Sequence, residues 1–342
     1  MSLLLSPYSY HEIELKNRVV MPPMCMYKAL EDGCITDFHR VHYAARAIGG
    51  VGLIITEATA VEARGRISDN DLGLWCDEQI IGHQQLVALC HQFGAKMGVQ
   101  LAHAGRKSLC KASTPVAPSA LLFSETNGYK LPQALTLDDI KSVKNHFVQA
   151  AFRAAKAGYD MLELHAAHGY LLYEFLSPLT NQRNDMYGGS LENRCALVIE
   201  ICHAIIQTTG LPLIVRLSAD EWVDKGWNIH DSIYLSDALH KIGVRMMHLS
   251  AGGNHEKQPL MPPLLPCYQA DYAQIIKQEV GIPTIAVGLI TSPQTANELL
   301  ERGVCDLVAF GRELLRNPNL VQFAAKEANE RALLEVSYAR AF

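Results

Sequence analysis

The sequence predicts a (β/α)8 barrel, and three observations lead there. Eight short apolar runs alternate with helical patterns along the 342 residues. Each run is four or five residues long and mostly apolar on both faces, as strands of a helix-covered parallel sheet must be. The first run leads into Pro22-Pro23-Met24-Cys25, whereas the competing doubly wound sheet usually places a Gly-rich phosphate turn there.

The elements follow in order. Short N-terminal strands are expected ahead of the barrel. The first barrel strand is Arg18–Met21, and a helix is expected over Asp37–Ile48, stopped by Gly49. Strand two, Val51–Ile55, precedes a helix over Glu78–Phe93 that ends at Gly94. Strand three, Met97–Leu101, runs into Cys110–Gln133, a stretch rich in Ser, Pro and other turn formers. Thr136 then caps a helix over Leu137–Ala157. Gly158 separates that helix from strand four, Met161–Leu164, and the next helix covers Leu191–Thr208. Strand five is Leu213–Leu217, followed by a helix over Asp231–Lys241 and Gly243. Strand six, Met246–Leu249, enters a second irregular stretch, Gly252–Pro266, with four prolines, then a helix over Tyr268–Gln278. Strand seven is Thr284–Val287, and Ser292 with Pro293 starts a helix that runs to Glu301. Gly303 leads to strand eight, Leu307–Phe310. No composition shift or flexible linker divides the chain, so residues 1–342 read as a single domain. The long loops after strands three and six are expected to act as lids over the barrel mouth.

Composition narrows the class. Apolar content of 49% and charged content of 19% fit a folded globular chain with a sizeable core. The net charge of −5 gives no reason to expect nucleic acid or an anionic membrane as partner. Nine cysteines without any Cys-x-x-Cys pair argue against a disulfide framework or a structural zinc site, and for a reducing compartment. The N-terminal apolar run is too short for a signal peptide and no run is long enough to span a bilayer, so a cytoplasmic location is expected.

Polar residues at the C-terminal ends of barrel strands are where catalysis is expected. His165, His168 and Tyr170 stand there directly after strand four. Two imidazole N–H donors can hold a carbonyl oxygen, and the phenol can hand over a proton. The spacing alone proves little, because His39 and His42 repeat it in an ordinary amphipathic helix. Arg216 sits inside the apolar fifth strand, where it either meets an anion at the barrel mouth or forms a structural ion pair. Gln100, on strand three, could bond a planar heterocycle with both its donor and its acceptor, or be satisfied by backbone. Gly288 after strand seven, with Gly311 and Arg312 after strand eight, occupy the habitual phosphate position of this barrel, although they also read as turn residues and a surface charge. Cys25 could be a nucleophile, a redox thiol or plain packing.

In combination these segments resemble the old yellow enzyme family of FMN-dependent ene-reductases. The landmarks are Lys16–Met24, Glu57-Ala58, Gln100–Arg106, His165–Tyr170, Phe175–Arg183, Asp185–Arg194 and Phe310–Pro318, which together cover nearly the whole chain. Cys25 with Tyr27, and the tail Tyr338–Phe342, are similar to the thermophilic-like subgroup. The resemblance implies non-covalent FMN and NADPH or NADH as reductant. It implies that Pro23, Met24, Cys25, Ala58, Gln100 and Arg216 contact the isoalloxazine and ribityl, with Arg216 stabilising negative charge on the reduced ring. Gly288, Gly311 and Arg312 would hold the phosphate. His165 and His168 would bind the activating oxygen of an α,β-unsaturated carbonyl, Tyr170 would protonate, and Tyr27 would touch substrate. Cys25 would tune the flavin without covalent catalysis. Residues 333–342 would reach a neighbouring subunit, with Arg340 entering its site, in a homodimer or homotetramer. The larger dienoyl-CoA reductase type, with its iron–sulfur cysteine cluster and second nucleotide domain, is not expected here, since the nine cysteines form no such cluster.

Two other functions fit the same residues less fully. One is a metal-dependent barrel hydrolase built on His165 and His168, although no metal is expected on the leading reading. The other is a flavin-binding redox sensor acting through Cys25.

Overall fold

The apolar runs close on themselves. The computed structural model describes residues 2–342. The barrel strands are β1 (Val19–Met21), β2 (Leu53–Ala60), β3 (Lys96–Ala102), β4 (Met161–Ala166), β5 (Leu213–Ser218), β6 (Met246–Ser250), β7 (Thr284–Ala286) and β8 (Leu307–Ala309). They pair in chain order, all parallel, and β8 returns to β1 to complete a closed eight-stranded barrel. Outside it lie α1 (Asp37–Ile48), α2 (Ile80–His91), α3 (Leu137–Lys156), α4 (Leu191–Thr209), α5 (Ile229–Lys241), α6 (Ala270–Val280), α7 (Pro293–Glu301) and α8 (Leu320–Glu327). Side chains such as Phe147 on α3 and Ile201 on α4 are fully buried in the layer between helices and sheet.

Strand alternation sorts the barrel interior into layers. Val20, Leu53, Ile55, Met161, Ile214, Met246, Ile285 and Leu307 form one apolar cluster, joined from below by Tyr8, Ile13 and Leu15. Those three belong to an antiparallel hairpin, Tyr8–Tyr10 with Ile13–Leu15, the short strands expected at the N-terminus. The hairpin plugs the N-terminal end of the barrel, which leaves the C-terminal end for ligands. Two residues further along β4, β5 and β6, the inward positions turn polar, at Glu163, Arg216 and His248.

Several boundaries differ from the sequence reading for local reasons. β2 runs on to Ala60 with a register shift between Thr56 and Thr59, which turns Glu57 and Ala58 into strand residues. α2 starts at Ile80 because the Gln79 side chain folds back to accept the Trp75 and Cys76 N–H groups at 2.7 and 3.2 Å. α6 starts at Ala270, because Cys267 adopts φ 64 and turns Tyr268 and Gln269 away as loop residues. The loop after β3 carries a small parallel ladder of its own, Val116-Ala117 with Gln133-Ala134. Among the described residues no helix is long and apolar enough to cross a membrane.

Candidate active site

β4 continues two residues past its expected end, through His165 and Ala166, because His165 pairs in register with Arg216 of β5. His165 is only 3% exposed. Its Nδ1 accepts the Ala167 N–H at 3.2 Å, so Nε2 carries the proton and is the donor. The chain then turns sharply, with His168 at φ 58 and Gly169 at φ 72. A Cβ on Gly169 would stand 2.4 Å from Asn254 Cα, so only glycine fits this turn. The His168 N–H donates to Ser218 Oγ at 2.9 Å, and its Nε2 lies 2.8 Å from Ser250 Oγ. Ser250 donates in turn to Gln269 Oε1 at 3.3 Å.

The two imidazoles meet edge to face with centroids 5.2 Å apart, and the Tyr170 ring stands 5.0 Å from His165. Burial, then the Arg216 charge, holds both histidines well below the usual imidazole range, so they are neutral. Burial, then Cys25, holds the Tyr170 phenol well above its ordinary value, so it is protonated. Lys107 lies 4.9 Å over the Tyr170 ring and donates to the carbonyls of His168 and Gly253, each at 2.9 Å. Burial lowers that ammonium to about 8.

A cavity of about 340 Å³ opens beside His168 and is lined by Arg216, Ser250, Gly288, Gly311 and Arg312 among others. Arg216 is 8% exposed and its Nε is buried without a hydrogen-bond partner. An unsatisfied guanidinium N–H is costly, so this donor fits a ligand acceptor better than a structural role. Gly288 adopts φ +125, which leaves its backbone open to the cavity. These groups fit an anionic, hydrogen-bonding ligand entering between β7 and β8.

Pro23 is buried, and Met24 packs against Gly311, its Sδ 3.6 Å from where a Cβ there would stand. Glu57 accepts the Met26 N–H at 2.9 Å and so anchors the segment that carries Cys25 and Tyr27, the latter at φ 54. Burial, then the charges of Asp71 and Glu57, raises the Cys25 thiol. The thiolate that a nucleophile or sensor needs is therefore disfavoured. Gln100 donates to Glu163 Oε1 at 2.7 Å. Arg340 is exposed in the turn Ala339–Ala341 and does not line the cavity of its own chain. Glu335 N bonds Gln322 Oε1 at 2.8 Å, and Phe342 meets Phe323 of α8 with centroids 5.0 Å apart.

Three contributors, Ser250, Gln269 and His248, escaped the sequence reading. Ser250 and Gln269 look like an ordinary strand end and helix start. His248 reads only as a polar residue inside an apolar run, and Glu163 reads at most as a third ligand for a metal beside His165; the structure pairs the two instead.

The NADH:flavin oxidoreductase / NADH oxidase family matches residues 3–331. The chain is 46% identical over 343 residues to the NADPH dehydrogenase of Listeria monocytogenes serovar 1/2a, covering 100% of both. It superposes on the old yellow enzyme homologue from Zymomonas mobilis with a TM-score of 0.81 at 29% identity, covering 95% of this chain and 93% of that one. It superposes on morphinone reductase in complex with tetrahydroNAD with a TM-score of 0.79 at 29% identity, covering 93% and 89%.

Proposed function

The chain belongs to the NADH:flavin oxidoreductase / NADH oxidase family, the old yellow enzymes, and from that premise we propose that it reduces the C=C bond of α,β-unsaturated carbonyl compounds. It is an NAD(P)H oxidoreductase that uses FMN. The observation that carries the finer reading is the pair of neutral imidazoles edge to face beside a protonated phenol, next to a cavity with an unpartnered guanidinium.

FMN, when bound, would supply two-electron hydride chemistry between NAD(P)H and the alkene. Arg216 and Gln100 would hold the isoalloxazine, with Pro23, Met24, Cys25 and Ala58 along its edge. Gly288, Gly311 and Arg312 would hold the phosphate. His165 donates its Nε2–H to the carbonyl oxygen. His168 donates from Nδ1 once the Ser250 hydroxyl rotates to donate to Nε2, an exchange that a hydroxyl allows. Both donors are neutral, so they strengthen as enolate charge grows on the oxygen and lower the barrier rather than the ground state. Tyr170 hands its phenol proton to the α-carbon and recovers it from water. Tyr27 and Cys25 border the substrate.

The subgroup tail supports a homodimer or homotetramer in which residues 333–342 contact a neighbour and Arg340 enters its site. A monomer in sedimentation would overturn this. The nine free thiols support a reducing, cytoplasmic setting. The hydrolase reading gains nothing from the donor set: among the described residues no group of three or more His, Cys, Asp or Glu side chains is arranged to hold a metal.

The deciding experiment is an anaerobic visible-absorbance titration with NADPH followed by 2-cyclohexenone. Bleaching by NADPH and return of the oxidised spectrum with the enone is expected. A flavin that bleaches but never returns would remove the ene-reductase reading.

A further inference from the structure

Glu163 is a buried carboxylate without a role in this chemistry. Glu163 faces the barrel interior from β4, one layer above the apolar floor, and is 1% exposed. Its Oε1 accepts from Gln100 Nε2 at 2.7 Å, and its Oε2 lies 2.7 Å from His248 Nδ1. A carboxylate only accepts, so both neighbours must donate. The Gln100 amide is thereby oriented, with its NH2 toward Glu163 and its carbonyl free to point elsewhere. His248 is fixed as the Nδ1–H tautomer, and its Nε2 is buried without a partner. With both oxygens engaged from two different strands, the carboxylate cannot rotate. Its charge acts on Arg216, which is next to His248 in the β5–β6 register and lines the cavity.

We propose that Glu163 is a positioning residue that sets the reduction potential of the bound flavin. It does so by fixing which end of the Gln100 amide meets the isoalloxazine, and by holding a negative charge beside Arg216. The inference rests on the placement of the ring against Gln100 and Arg216 proposed above. Two-electron reduction leaves negative charge on the ring, which Arg216 attracts and Glu163 repels. Glu163 therefore holds the potential lower than Arg216 alone would set it. His248 keeps the carboxylate from swinging onto Arg216 and cancelling it.

The test is an anaerobic redox titration of holoprotein against reference dyes, read from flavin absorbance. Glu163→Gln keeps the shape and removes the charge. Its midpoint is expected to rise by a tenfold or greater shift in the reduced-to-oxidised ratio, about 30 mV for a two-electron couple. His248→Leu keeps the charge and removes its tether, and its midpoint is expected to fall. Wild-type midpoints in both variants, or shifts of the same sign, would overturn the proposal. If Glu163→Gln does not retain flavin, His248→Leu decides alone: a fall supports the role, and no change or a rise refutes it. Flavin affinity in Gln100→Ala separates the two levels. If that variant binds FMN as tightly as wild type, the placement of the ring fails, whatever Glu163 does.

Discussion

His165→Ala isolates one donor of the proposed carbonyl clamp. The imidazole is 3% exposed and its Nε2–H is free to donate, so a hydrogen bond from it to a developing enolate would form away from bulk water. Removing one such donor costs about 2.7–4 kcal/mol of barrier, or roughly a hundredfold to a thousandfold in rate. The substitution also strips the Ala167 N–H of its acceptor, which costs about 1–3 kcal/mol of stability for an unsatisfied buried group. His165→Asn separates the two effects, because its amide oxygen can accept from Ala167 while its shorter reach withdraws the donor. The variant is expected to recover part of the stability and little of the rate. The assays are kcat/KM with 2-cyclohexenone, phenol affinity from the flavin spectrum, and urea unfolding. Burial and Arg216 keep this ring neutral, so wild-type kcat/KM should show no imidazole inflection between about pH 6 and 8. If His165→Ala binds flavin and retains phenol affinity and kcat/KM within about twofold, the carbonyl clamp is wrong.

Further predictions concern the neighbouring residues and the scaffold. Tyr170→Phe should lower enone turnover by about 10²–10⁴-fold while leaving reduction of the flavin by NADPH intact, which stopped-flow separation of the half-reactions checks. Gly169→Ala forces a side chain into a left-handed backbone and against Asn254, so chemical denaturation should show a loss of at least about 1–3 kcal/mol. Burial raises the Glu62 carboxyl, but the His103 hydrogen bond and charge and Arg64 outweigh it and bring the group down to about 2. Its folded value lies below its unfolded one, so its stabilisation, on the order of 3 kcal/mol, is full above about pH 4.5 and lost as pH falls toward about 2. Melting of wild type and Glu62→Gln should therefore converge between those values; a constant gap across the range would refute the assignment. Phe147→Ala, at a fully buried position on α3, should cost about 3–5 kcal/mol in urea unfolding.

The barrel was legible because its strands are buried on both faces, which writes eight apolar runs between helical patterns. The strand ends were less so. His165 reads as the residue after a strand, yet it pairs with Arg216, and that pairing depends on how far each strand is staggered along its neighbour. The same stagger decides that Gln100 meets Glu163 and Glu163 meets His248, so the sequence shows three polar residues in apolar runs but not their network. Tyr268 and Gln269 carry a helical pattern, yet a left-handed Cys267 makes them cavity residues. The choice at Arg216 between anion site and ion pair was open in the sequence, and its unpartnered Nε favours the ligand.

Lys107 ties together backbone from the loops after β4 and β6 while sitting at the start of the loop after β3, with its ammonium also 4.7 Å over Phe123. Three loops thus share one mooring close to the barrel, and their outer spans hang beyond it. Residues 110–133 should then be exchangeable for a different span with the geometry at His168 kept, provided Lys107 and its aromatic contact at Phe123 stay. Grafting that span between relatives should transfer preference among alkenes while the rate of flavin reduction stays that of the recipient.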